Sequence, residues 1–81
     1  MLFEGGIDAL GQKVCEEAAE VVDAASVAGV DRGYSVIYEA ADLLYHLLAL
    51  MAYCDVSLVD VEEELGRRFG KSGLRNVASP R

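Results

Sequence analysis

Basic residues are scarce in this 81-residue chain, which has 7 lysines and arginines against 14 aspartates and glutamates. The formal net charge is −7, and an acidic surface repels the phosphate backbone of nucleic acids. The sequence therefore predicts no nucleic-acid partner. A phosphate-bearing ligand is still compatible with this charge if metal ions bridge its phosphates to carboxylates. Upstream of residue 67 the only basic residues are Lys13 and Arg32.

Cysteine is also rare, and Cys15 and Cys54 show neither a CxxC motif nor a Cys/His spacing that binds zinc. Both lie in apolar helical patterns, so we interpret them as packed thiols of a reducing compartment. No basic region followed by an apolar run marks a secretory signal. The longest apolar run, around residues 43 to 54, is interrupted by His46 and is shorter than the about 20 residues that span a bilayer. These absences predict a cytoplasmic protein with no membrane partner.

The sequence also lacks the alternation of apolar and polar residues that marks strands, so it predicts an all-α fold. We expect one helical domain over residues 1–70 and a polar tail over residues 71–81. Apolar residues at helical spacing predict helices from about Ile7 to Ser26, from about Tyr34 to Tyr53, and onward from Ser57 to about Phe69.

Short polar and glycine signals separate these helices. Gly29 and Gly33 are expected in the first connection, and Gly70 is a plausible C-terminal stop of the third helix. Ser57 is expected to cap the third helix, with Asp60 three residues on in a pattern close to a capping box.

Hydrophobic residues make up 53% of the chain, which is high for its length. A single small monomer cannot cover so much apolar surface, whereas a second copy can. The apolar circumference of the second helix is too wide for the other two helices to cover. We therefore predict a homodimer in which antiparallel helices form a bundle across a two-fold axis.

Two pairs of carboxylates interrupt the apolar helices, each at i,i+3 spacing on one helix face: Glu17 with Glu20, and Glu39 with Asp42. A short loop joins these helices, so they should pack antiparallel and turn the two pairs toward each other. Four converging anions repel one another, and a hard cation such as Mg²⁺ relieves the repulsion. The alternative is a solvated acidic face, which suits the first pair better than the second because the second helix is so apolar.

His46 falls on the same sector of the second helix as Glu39 and Asp42. Mg²⁺ prefers oxygen to nitrogen, so we expect the imidazole to orient a carboxylate or to bridge helices without binding the metal. Cys15, Met51 and the tyrosines are expected in the core.

Two segments, "KVCEEAAEVVDAA" and "EAADLLYHLLALMA", resemble the two signature segments of the phosphoribosyl-ATP pyrophosphohydrolase family. That family belongs to the MazG-like all-α nucleoside triphosphate pyrophosphohydrolases, whose ExxE…ExxD pattern the carboxylate pairs match. The stretches "GIDALGQKV" and "LVDVEEELGRR" also fit the family's layout, so the resemblance covers roughly residues 4 to 69.

The resemblance implies Mg²⁺-dependent hydrolysis of phosphoribosyl-ATP to phosphoribosyl-AMP and pyrophosphate, the second step of histidine biosynthesis, with Mn²⁺ as a possible substitute. It places Glu17, Glu20, Glu39 and Asp42 at catalytic metal-ligand positions. It also assigns Lys13 and Glu16 to substrate binding. The family occurs fused to the cyclohydrolase of the next step, which is therefore a possible partner.

Two other functions stay open. One is a nucleotide-cleansing pyrophosphohydrolase that acts on free or damaged nucleoside triphosphates, against which the "LLYHLL" run argues. The other is a non-catalytic helical dimerisation module. The family usually carries a further N-terminal segment ahead of the region where "LFEGG" lies, and this second alternative supposes that the segment is missing.

Overall fold

The computed structural model describes residues 5–70, and these residues form three α-helices. Helix α1 is Gly6–Ser26, α2 is Arg32–Tyr53 and α3 is Leu58–Phe69. The described residues contain no strand, so the predicted all-α fold is confirmed. The predicted tail at 71–81 lies outside the described residues, and the division into domain and tail stays a prediction.

The ends of the helices follow local chemistry. Ser57 Oγ accepts a hydrogen bond from the Asp60 amide at 3.3 Å, and Asp60 accepts one from the Ser57 amide at 2.9 Å, so the predicted capping box is present. Gly70, with φ 103°, ends α3 as expected. The prediction for Gly33 was wrong, because α2 starts at Arg32 and includes this glycine in its first turn.

Helices α1 and α2 pack antiparallel along most of their length. Gly6 at the start of α1 lies against the hydroxyl of Tyr53 at the end of α2. Further along, Glu17 approaches His46, and Glu20 contacts Glu39. Helix α3 makes far fewer contacts, so the α1–α2 hairpin is the part of the fold that positions side chains for chemistry.

Few side chains are buried in this hairpin. Among the described residues the buried apolar side chains are Leu10, 3% exposed, and Ala49, 9% exposed. The tyrosines that were expected in the core are exposed, from 52% at Tyr53 to 74% at Tyr34. Cys15 and Cys54 are exposed as well, so the interpretation of packed thiols was wrong for the isolated chain. Two packed helices share a single contact face, and exposed side chains such as Cys15 and Tyr34 lie outside it. By contrast, Tyr53 reaches Gly6 of α1 and is still 52% exposed.

The length and composition of α2 also revise the expectation about membranes. This helix has 22 residues and a stretch of 18 with mean hydropathy 1.3, which is sufficient to cross a bilayer. Counting only the uninterrupted run around residues 43 to 54 therefore underestimated its apolar length. The core helix of a soluble protein has the same dimensions, and α2 carries Glu39, Asp42 and His46, which are costly in lipid.

Candidate metal centre

Three carboxylates converge where the middle of α1 crosses α2. Glu17 of α1 and Glu39 and Asp42 of α2 each offer one oxygen, and these oxygens all lie within 4.8 Å of one another. Glu17 is only 6% exposed, and the other two side chains are half-buried. The i,i+3 spacing on α2 turns both of its carboxylates toward the same face of α1.

Two oxygens of this cluster lack hydrogen-bond partners. Oε1 of Glu17 and Oε1 of Glu39 are buried, and neither meets a donor among the described residues. Buried acceptors are normally satisfied, and an unsatisfied one costs about 1–3 kcal/mol, more if it is charged. Oxygen atoms of several carboxylates at such short separations are the donor set that Mg²⁺ and Mn²⁺ prefer. The residues therefore fit a hard divalent cation.

The electrostatics of Glu39 show the same need for positive charge. Burial raises the pKa of Glu39 above 4.5, and a side-chain hydrogen bond with Glu20 raises it further. The negative charges of Glu20, Asp42 and Glu17 act in the same direction. A bound dication would oppose this shift, because it favours the charged form of each carboxylate.

Glu20 lies at the edge of the cluster. It contacts Glu39 but is exposed, and it is not one of the three residues whose oxygens lie within 4.8 Å of one another. Of the four acidic residues that the sequence singles out, the structure thus brings three together and leaves the fourth beside them.

Lys13 lies one turn before Glu17 on α1. Its ammonium is 3.6 Å from Oε2 of Glu17 and 3.9 Å from Oε1 of Glu16. Glu16 itself is exposed and accepts a hydrogen bond from Gln12 at 3.2 Å. Lys13 is therefore next to the cluster, whereas Glu16 points away from it toward solvent.

His46 connects the two helices. Its Nδ1 is 3.0 Å from the backbone carbonyl of Asp42 and 3.8 Å from Oε2 of Glu17. The carbonyl can only accept, so Nδ1 is the donor in this contact. The edge of one ring meets the face of the other where His46 packs on Tyr45, with centroids 5.0 Å apart. These contacts fix the ring beside the carboxylates.

A cavity of about 650 Å³ adjoins the cluster at the α1–α2 loop. Glu20 and Glu39 form its wall toward the cluster, and Arg32 and Ser35 line it from the first turns of α2. Sequence reasoning missed Arg32 because it placed the start of α2 at about Tyr34, whereas Ser35 falls inside the predicted helix on the same sector as Glu39. The available signal was spacing, since Arg32 precedes Glu39 by seven residues, almost two full helical turns.

Comparison with known proteins identifies the family of the chain. Residues 2–69 match the family described as phosphoribosyl-ATP pyrophosphohydrolase. The chain belongs to this family. The resemblance that the two signature segments indicated is thereby confirmed.

Curated relatives extend the match along nearly the whole chain. It is 45% identical to a protein of Rhodopirellula baltica over 96% of its own length and 65% of the relative's. A relative from Geobacter sulfurreducens is 46% identical over 96% of this chain and 69% of its own length. One from Rhizorhabdus wittichii is 50% identical, over 96% and 71%. All three are named phosphoribosyl-ATP pyrophosphatase.

The chain thus spans about two thirds of the length of these relatives. No solved structure matches it. Within the phosphoribosyl-ATP pyrophosphohydrolase fold, the first signature segment forms α1 from Lys13 almost to its C-terminal end, and the second forms most of α2. The two segments that carry the resemblance are therefore the two that pack together around Glu17, Glu39 and Asp42.

Proposed function

We propose that the protein hydrolyses phosphoribosyl-ATP to phosphoribosyl-AMP and pyrophosphate in a Mg²⁺-dependent reaction, as a cytoplasmic enzyme of histidine biosynthesis. Family membership and the names of the relatives support the substrate. The observation that carries the chemistry is the convergence of three carboxylates, two of which have a buried oxygen without a hydrogen-bond partner.

In this proposal Glu17, Glu39 and Asp42 hold the cation, with Glu20 completing the set from the cavity side. Mg²⁺, or Mn²⁺ in its place, would neutralise the polyphosphate and lower the pKa of an attacking water. Glu20 and Glu39 both line the cavity, so a water molecule there meets a carboxylate that can accept its proton. Lys13 lies where its ammonium can exchange part of its contact with Glu17 for a substrate phosphate.

Within this site His46 would act on protein groups rather than on the substrate. Its Nδ1 contacts the backbone carbonyl of Asp42. This contact fixes the orientation of the ring and leaves Nε2 on the side facing away from the carbonyl. The approach to Oε2 of Glu17 joins the ring to the buried carboxylate of the other helix. We propose that the imidazole keeps Glu17 and Asp42 in register for metal binding.

We also propose that the working form is a homodimer. Large apolar side chains on α2, among them Ile37 at 67% exposure and Tyr38, Leu44 and Tyr45, are uncovered in the isolated chain. Contiguous apolar surface of this kind marks an interface, and a second copy with the same surface is the simplest partner.

Release of pyrophosphate from phosphoribosyl-ATP, with and without Mg²⁺, tests the proposed reaction. Glu17→Gln and Glu20→Gln should abolish turnover while leaving the helical content intact, and Glu63→Gln on α3 is the matched control. The same assay with free nucleoside triphosphates separates this reaction from nucleotide cleansing. If folded, dimeric, metal-loaded protein cleaves none of these substrates, the enzymatic function is wrong and a dimerisation module takes its place.

A further inference from the structure

The cavity beside the carboxylate cluster is large enough for more than a metal-bound phosphate group. Its volume of about 650 Å³ lies within the roughly 300–1,000 Å³ that is typical of small-molecule sites. The end of α1, the loop of residues 27–31 and the first turns of α2 form its wall. The cluster lies at one end of this cavity, and the start of α2 forms the other.

Arg32 is the basic residue at that far end. It shares one face of α2 with Glu39, because seven residues are close to two complete turns. At a rise of 1.5 Å per residue, the two backbone positions are about 10 Å apart along the helix axis. Ser35, between them on the same face, adds a hydroxyl to the cavity wall.

The charge of Arg32 is not used within the described fold. Lys13 pairs with Glu16 and Glu17, and Arg67 and Arg68 both pair with Glu64. Arg32 forms no ion pair with any described residue, although the acidic residues Glu20, Asp23, Asp31 and Glu39 line the same cavity. Asp31, the N-cap of α2, also makes no capping hydrogen bond with its side chain. Arg32 is thus an exposed guanidinium that no described carboxylate pairs with, beside a helix N-terminus without a side-chain cap, and both groups can bind an anion.

We propose that Arg32 binds a phosphate group of the substrate that is remote from the bond being cleaved. This inference rests on the proposed function, since it takes the metal-bound phosphoanhydride to lie at the carboxylate cluster. Phosphoribosyl-ATP carries phosphates in two places, on its triphosphate chain and on the separate phosphoribosyl group. Arg32 at the far end of the cavity positions the substrate through one of them, and a planar guanidinium contacts two phosphate oxygens at once.

The test measures KM and kcat of Arg32→Ala and Arg32→Lys separately and compares each with the wild-type value. Loss of a charge-assisted contact made equally in the ground and transition states should raise KM about tenfold or more and leave kcat nearly unchanged. Arg32→Lys should restore part of the loss, because it keeps the charge but not the paired donors. Arg67→Ala, which removes the same charge from α3, is the matched control and should leave KM unchanged.

Parallel measurements with phosphoribosyl-ATP and ATP identify the phosphate. A rise in KM confined to phosphoribosyl-ATP assigns the contact to the phosphoribosyl phosphate, and an equal rise with both assigns it to the triphosphate. Unchanged KM for both substrates in Arg32→Ala overturns the proposal while the proposed function stands. If the wild type turns over neither substrate, titration of both nucleotides in Mg²⁺ followed by calorimetry still decides it, since Arg32→Ala must bind at least one of them about tenfold more weakly.

Discussion

Glu17 combines burial with charge in a way that no other described residue does. It is the one buried charged side chain among residues 5–70, and one of its oxygens meets no donor there. Lys13 and His46 approach its other oxygen, at 3.6 and 3.8 Å. A buried carboxylate with an unpaired oxygen destabilises a fold, and a bound cation would offset that cost. At the residue scale, the burial of each carboxylate and the charged groups that contact it determine how the site behaves.

The first prediction at the residue scale concerns metal binding. Mg²⁺ should raise the melting temperature of the wild type, because a ligand present at a hundredfold its Kd adds about 2.7 kcal/mol to the free energy of unfolding. The double variant Glu39→Gln, Asp42→Asn should lose this shift and still fold without metal, since it removes two repelling charges. Thermal unfolding with and without Mg²⁺ measures both. A full Mg²⁺ response in the double variant, with Glu63→Gln as control, would place the site elsewhere.

A second prediction concerns pH in the absence of divalent metal. The pKa of Glu39 is raised in the folded protein, first by burial and then by Glu20, so the folded state binds more protons than the unfolded state. Stability should therefore fall as pH rises from about 4.5 through the raised folded pKa. Glu39→Gln should flatten this slope in denaturant titrations at several pH values in EDTA.

In the same experiment, Glu64→Gln should change the pH dependence of stability in the opposite direction. Hydrogen bonds from Arg67 and Arg68 lower the pKa of Glu64, so its contribution is present above its unfolded pKa and is lost as pH falls through the lowered folded value. This variant should lose stability at neutral pH rather than gain it. If the stability of Glu39→Gln falls with pH as steeply as that of the wild type, Glu39 does not cause the pH dependence.

The third prediction concerns His46. His46→Gln should weaken Mg²⁺ binding about 10- to 100-fold, the usual cost of losing a group that orients metal ligands. Metal titration by calorimetry measures this, and circular dichroism confirms that the variant is folded. A metal-bound structure with an imidazole nitrogen coordinating the ion would show that His46 is a ligand instead.

At the scale of the helices, local chemistry set most of what could be predicted. The ends of α1 and α3 agree with the sequence within one residue, and for α3 the reason is that Ser57 and Gly70 carry their signals in their own neighbourhood. The start of α2 did not agree with the sequence, because Gly33 lies in the first turn of the helix. Glycine can adopt both helical and loop conformations, so it does not fix a helix boundary by itself. Which side chains are buried was harder to predict than where the helices end. Cys15 lies in an apolar pattern but off the α1–α2 contact, and helical spacing alone does not say which part of an apolar face a neighbour covers.

In the candidate site, too, local spacing predicted some features and tertiary packing determined others. The i,i+3 spacing predicted that Glu39 and Asp42 share a face, and both do lie with Glu17 in one cluster. That Glu20 would stand at the edge, and that Arg32 would line a cavity, depended on the loop and on where α2 begins. Helical spacing places Arg32 on the face of Glu39, but the cavity itself and the edge position of Glu20 depend on tertiary packing.

The fourth prediction belongs to α3, the helix with the fewest tertiary contacts. Ser57→Ala removes the hydroxyl that caps the Asp60 amide and should lower the free energy of unfolding by about 1 kcal/mol. Ser26→Ala is the matched control, because that hydroxyl only donates to the Val22 carbonyl at the exposed end of α1. Urea denaturation of the two variants measures the difference. Equal effects would mean that the capping box contributes nothing to α3.

At the scale of the molecule, the described residues expose more large apolar side chains than they bury. Leu10 and Ala49 are the buried apolar residues of the described chain, whereas Ile37, Tyr38, Leu44 and others lie open along α2. Burial of apolar side chains is the main force that stabilises a fold. The isolated chain therefore leaves unused much of the stabilisation that its composition could provide.

The fifth prediction follows at this scale. Sedimentation should show a dimer at micromolar concentration, and Ile37→Lys on the exposed face of α2 should dissociate it, because a lysine there would be buried without a partner. Glu63→Lys changes the polar side of α3 and should leave the dimer intact. A well-folded wild-type monomer under these conditions would refute the dimer.

The small number of buried apolar side chains among residues 5–70 has a consequence for synthesis in the cell. If apolar side chains are covered only when two chains meet, then folding becomes a bimolecular event with a rate that depends on how many copies are present. Newly made chains at low abundance would spend longer with Tyr34, Ile37 and Leu44 uncovered, and would be the ones that proteases remove. The amount of this protein would then respond more than proportionally to the rate at which it is made.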